Sequence, residues 1–217
     1  MAWVVYAYCV YMQIAQDYSS IFQLQGMINF LLTLQSSAGD LTSGLFYLGY
    51  GRYQDPGYQY LPGLQPAVST EHQVDLWFAF RRAANVLSAA ATFLVKTNQI
   101  TPAQASSLNS TALTVNSAAA TIWTNLLANL YIAPAGPTPG HFAQGATGNI
   151  LDTSQALDAS GHWAALLAHA NGRDDIALQC AEFAYENFLL TDRTVVLSSQ
   201  ANSFNATYQV TTPFSGM

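Results

Sequence analysis

The sequence predicts an all-α fold, with antiparallel helix hairpins packed in two layers as a single domain over residues 1–217. Three observations lead there. Apolar residues recur at three- and four-residue spacing along six stretches. Signals for a helix start, Ser or Thr with Pro or Gln close behind, stand before several of them. The connections are either short, as between antiparallel neighbours, or long and rich in Gly and Pro.

The first helix is expected from about Trp3 to Gln16, with Trp3, Ala7, Val10 and Ile14 on its inward stripe. After a turn at Asp17–Ser20, the second carries Ile21, Leu24, Ile28 and Leu31 on one face. Residues 36–69 form a long Gly/Pro-punctuated loop. Its aromatic density (Tyr47, Tyr50, Tyr53, Tyr58 and Tyr60) argues against disorder, because disordered segments are poor in aromatics. Thr70 with Gln73 reads as a capping box opening the third helix, whose stripe is Leu76, Phe80, Ala83, Leu87, Ala90 and Leu94. Thr101-Pro102 opens the fourth, striped by Leu108, Val115, Ala119, Ile122, Leu126 and Leu130. A second Gly/Pro loop covers 133–150. The fifth helix starts at Asp152 or a few residues later and ends at Asn171-Gly172, and the sixth carries Ala177, Cys180, Ala184 and Phe188. Both long loops precede odd-numbered helices, which puts them at one rim, the layout of an α/α solenoid or toroid.

Composition narrows the partners. Half of the chain (51%) is hydrophobic and only 8% is charged, so Ser, Thr, Asn, Gln and Tyr must carry solubility. Such a surface suits neutral polar ligands such as sugars. A formal charge of −6 with six scattered basic residues excludes a nucleic-acid groove, which needs cations to displace phosphate counterions. No apolar run reaches the roughly 18 residues of a membrane span. Cys9 and Cys180 read as buried thiols, although one long-range disulfide between them is also open.

The strongest concentration of chemistry is Ser69-Thr70-Glu71-His72-Gln73-Val74-Asp75. Glu71 and Asp75 stand one helical turn apart and share a face. Acids in a first turn also simply complement the helix dipole, and that plainer account stands beside the functional one. Asp158 has the apolar neighbours Leu157, Ala159 and Trp163; burial of this kind raises a carboxyl pKa toward that of a general acid, and a structural, hydrogen-bonded Asp is the alternative. Trp77, Trp163 and the loop tyrosines Tyr50, Tyr53 and Tyr58 offer flat faces for sugar rings or, more plainly, core packing. His72 with Asp75, and His162 with His169, have poor spacing for a metal, so no metal and no cofactor is expected.

These residues carry a resemblance. Trp3 to Tyr8, Leu31 to Gln35, Gly44-Leu45-Phe46 and above all the 69–75 motif resemble α/α-toroid glycoside hydrolase-like proteins of bacteria, which share a Ser-Thr-Glu-His-x-x-Asp motif. Leu157-Asp158 followed by Trp163 is similar to a later motif of the same proteins, with one residue more between its parts. The resemblance implies a segment of a larger toroid, since a full one has twice as many helices, completed by its missing half or by a second copy. It implies a secreted protein, extracellular or periplasmic, that hydrolyses or binds a polysaccharide. Glu71 would be the general acid or a sugar ligand, Asp75 would orient His72 or the substrate, and Asp158 would be the second carboxylate. His72, Trp77, Trp163 and the tyrosines would hold the sugar. The alternative is a non-catalytic, self-assembling protein on the same scaffold, because a fold does not settle a function.

Overall fold

A computed structural model describes residues 1–54, 59–188, 194–199 and 204–209. Six α-helices form the frame: α1 (Ala2–Ala15), α2 (Ile21–Leu32), α3 (Thr70–Lys96), α4 (Pro102–Asn129), α5 (Trp163–Ala170) and α6 (Asp174–Phe188). The long α3–α4 hairpin is the centre. Both α1 and α5 pack on α3, α2 packs on α4, and α6 closes against α5.

The all-α expectation is wrong. Among the described residues up to 188 the fold is 60% helical but mixed, with seven strands in three small antiparallel sheets between the helices. Strands β1 (Gly49–Gln54) and β2 (Gln59–Gln65) form a hairpin inside the first long loop. Strand β3 (Ala67–Ser69) runs straight into α3 and pairs with β6 (Gly145–Thr147), which pairs in turn with β7 (Ile150–Asp152). Strands β4 (Tyr131–Ile132) and β5 (His141–Phe142) complete the second loop. A further hairpin joins β8 (Thr194–Ser199) and β9 (Phe204–Gln209). Most of these strands have two or three residues, too few for an alternating pattern to declare itself. Gly145 is what lets the two long loops zip together, because a Cβ there would collide with the backbone carbonyl of Val68 across the β3–β6 pair.

The sequence stripes match the buried faces of α2, α3 and α4, including Ile21, Leu24, Ile28 and Leu31 and the whole run from Leu76 to Leu94. The stripe expected on α1 does not match. Val5, Cys9 and Met12 face the core, while Trp3 and Ile14 are 56% and 79% exposed. The helix is apolar all round and carries no charge, so its periodicity cannot select a face.

Helix starts divide the same way. Thr101 accepts from the backbone N–H of Gln104, whose side chain accepts from the backbone N–H of Thr101, a full capping box with Pro102 behind it. Thr70 and Gln73 are instead fully buried and used at long range. The Thr70 hydroxyl donates to the Ala143 carbonyl at 2.6 Å, and the Gln73 amide holds both backbone groups of Phe46 at 2.8 Å. The expected capping box is thus two rivets that fasten the two long loops to the start of α3. Asp152 is likewise no helix cap: it ends β7, and its carboxylate accepts from the Ser154 N–H at 3.0 Å. The chain then passes through a π-helical turn, Leu157–His162, before α5. Cys9 and Cys180 are free and buried, with both thiols pushed up to about 12 by desolvation.

Candidate functional site

The first turns of α1 and α5 converge on the first turns of α3. Trp3 and Tyr6 from α1, Asp75 and Phe78 from α3, and Trp163 at the head of α5 line a cavity of about 140 Å³. At roughly 30 Å³ per water this is the space of four or five waters, enough for one small ring or substituent. Trp3 and Trp163 meet edge to face, with centroids 5.3 Å apart and planes at 78°, and Trp3 holds Tyr6 in a second edge contact at 6.2 Å. The Arg82 guanidinium lies over the Tyr6 ring, 5.7 Å from its centre.

Asp75 is the polar group of this apolar pocket. Burial comes first in raising its carboxyl pKa, to about 6, and the Glu71 carboxylate one turn away adds to the rise. A hydrogen-bonding contact with the Trp3 side chain and the α-amino group of Met1 oppose it, and Asp158 adds a smaller increase. One carboxylate oxygen, Oδ1, is buried without a hydrogen-bond partner. A buried acceptor left bare costs on the order of 1–3 kcal/mol, so the position is one that a ligand donor stabilises.

The π turn places Asp158 within electrostatic reach of Asp75, outside the cavity lining. It packs against α6 through Gly161, where a Cβ would stand 2.6 Å from that of Ala184. Asp158 is half-buried and accepts from the Ala159 backbone N–H at 2.9 Å. Glu71 and Asp158 both act on Asp75, yet the three do not form a chelate: among the described residues no group of three or more His, Cys, Asp or Glu could hold a metal ion.

Of the residues picked out in the sequence, Asp75 and Trp163 line the cavity, and Glu71 and Asp158 lie within electrostatic reach of Asp75. His72, which the resemblance would have hold the sugar, is exposed and does not line the cavity. Trp77 is a core residue, 8% exposed, packed edge to face on Phe78 with the Arg81 guanidinium over its ring. Tyr50 is exposed and lies beside Phe30 of α2, away from the cavity. The side chain of Tyr53 and all of Tyr58 lie outside the described residues. The sequence reading missed Trp3, Tyr6 and Phe78 as site residues. Trp3 and Tyr6 are three apart on one helix, a spacing that puts them on one face, but in an uncharged helix it also looks like core.

No protein-family model, curated protein or solved structure matches this chain.

Proposed function

We propose that this cavity is the carbohydrate site of a glycoside hydrolase-like protein, with Asp75 as its proton donor. The observation that carries the reading is Asp75 itself: a carboxyl raised to about 6, with one bare oxygen, among four aromatic rings. A general acid works best with a pKa near the working pH, and apolar surroundings are the usual means of raising a carboxyl to that range. Flat Trp and Tyr faces suit the apolar side of a sugar ring, and the carboxylates suit its hydroxyls. Hydrolysis requires a second carboxyl, as nucleophile or as base for water. Glu71 and Asp158 are the two candidates for it. The acid role passes from Glu71, which the motif alone favours, to Asp75. An extracellular or periplasmic setting goes with a polysaccharide substrate.

The test is release of reducing ends from a panel of polysaccharides and their oligomers. Asp75→Asn should lower kcat by about 10²–10⁴-fold, the usual contribution of a general acid, with an unchanged circular dichroism spectrum. Wild-type activity should fall as pH rises through about 6, because the proton to be donated is then lost. A panel in which no glycan is bound or cleaved sinks the reading.

A second reading has its own observation. The outward face of α1 exposes Val4, Tyr8, Tyr11 and Ile14, a continuous apolar stripe. A self-assembling, non-catalytic protein would use such a face. It should elute well above 23.4 kDa on size exclusion and cleave nothing.

A further inference from the structure

The face of α1 turned away from the core holds Trp3, Val4, Tyr8, Tyr11 and Ile14, exposed by 38% to 79%, with only alanine between them. At about 100° per residue these positions fill one unbroken arc, and Val4, Tyr8 and Tyr11 have the spacing of a packed helix seam. No charged side chain precedes Asp17. A lipid surface is a poor occupant, because a helix lying on one carries Lys and Arg on its polar face and α1 has neither. A charged partner gains no ion pair from this face. A second copy of it meets no like charge and loses none. With about 150–250 Å² to a whole aromatic side chain, the exposed fractions come to on the order of 600 Å² per copy. Two such faces bury about 1,200 Å², the lower bound of a stable interface.

We infer that two copies of this chain pair through α1, antiparallel about a two-fold axis, and that the pairing completes the rim of the cavity. The inference takes its face from the second reading above and does not need the loss of catalysis. The direction follows from charge. Asp17, which accepts from the Tyr11 hydroxyl at 3.1 Å, stands just past the C-terminal end of α1. Antiparallel pairing brings it to the positive N-terminal end of the partner's helix, whereas parallel pairing sets Asp17 against its own copy. In that register Val4 meets the partner's Ile14, and Ala7 meets the partner's Tyr11, small against large. Trp3 belongs to both the arc and the cavity lining, so the last turn of the partner's α1 lies over it. An interface of this size lets the pair and the single chain exchange, and in dilute solution the chain is alone.

Sedimentation equilibrium over a concentration series tests the pairing. The mass should rise reversibly from 23.4 kDa toward twice that value. Ile14→Glu and Val4→Glu should each hold the chain at the single mass with an unchanged circular dichroism spectrum. Leu113→Glu, an equally exposed apolar position on α4, should pair like the wild type. Direction is read by disulfide trapping, from which the buried Cys9 and Cys180 stay out. A mixture of Val4→Cys and Ile14→Cys chains should form a mixed disulfide, and Val4→Cys alone should form none. A chain that keeps the single mass at every concentration overturns the inference, and flotation with vesicles would then give the face to a lipid surface. Pairing unaffected by either glutamate, or a Val4→Cys chain that bridges to itself, overturns it equally. Release of reducing ends is scored separately, so a failure here leaves the carbohydrate reading standing.

Discussion

Asp75 sets a tension between stability and chemistry. Its carboxyl is moved from 3.8 to about 6, so the folded chain holds that proton more tightly than the unfolded chain does across this window. Where the native state binds more protons, stability declines as pH rises. The contribution is thus fully present below about pH 4 and lost as pH passes about 6. The group is roughly half exposed, so solvent screening reduces the cost of ionisation at neutral pH to on the order of 1 kcal/mol. Asp75→Asn should therefore stabilise the protein at pH 7 by about that amount while removing the proposed hydrolysis. Urea unfolding at pH 4 and pH 7 reads it directly: the wild type should lose stability between the two, and the variant should lose less. A substitution that stabilises while it inactivates marks a residue kept for function rather than for folding.

At the scale of elements, two short devices hold the site. Gln73 satisfies both backbone groups of Phe46, and Gln73→Leu leaves that N–H and C=O bare in the interior. The cost should be about 2–4 kcal/mol, since each buried orphan is worth roughly 1–3 kcal/mol. The control is Thr101→Ala, which removes an exposed cap and should cost only about 1 kcal/mol. Denaturant midpoints compare the two. Gly161 is the second device. Gly161→Ala brings a methyl against Ala184 and should cost about 1–3 kcal/mol, as overpacking does, while shifting Trp163 at the cavity. Equal stability for that variant and the wild type would mean that the π turn is not tightly seated.

These same elements show what was legible. The stripes of α2, α3 and α4 were readable because polar residues interrupt them on the outer side, and Thr101-Pro102 was readable because its capping is local. Thr70 and Gln73 have the same local appearance, but their partners lie 73 and 27 residues away, which no window of sequence reveals. Glu71, Asp75 and Asp158 could be picked out because charge is scarce in this chain. Trp3 and Tyr6 could not, since an uncharged helix gives no sign of which aromatic faces a cavity.

For the whole molecule, scarcity of charge governs behaviour in solution. With a net charge of −6 and a sequence pI near 4.8, the chain loses its self-repulsion in mildly acid buffer. Solubility should be lowest near pH 4.8, measurable by precipitation across a pH series. Ile14→Glu on the outward stripe of α1 should relieve that loss while changing stability by no more than about 0.5 kcal/mol, because the side chain is 79% exposed. A large loss of stability in this variant would place Ile14 in a packed contact instead.

Trp3 and Trp163 are separated by most of the chain, yet their indoles stand 5.3 Å apart and nearly perpendicular. Chromophores that close exchange excitation, and the exchange splits their absorption into two bands of opposite rotational sign. The protein thus carries a built-in optical gauge of its own cavity. A signed couplet should appear in the circular dichroism of the native protein and vanish in Trp3→Phe. It should change amplitude when a guest tilts either ring, so occupancy can be followed with no label attached.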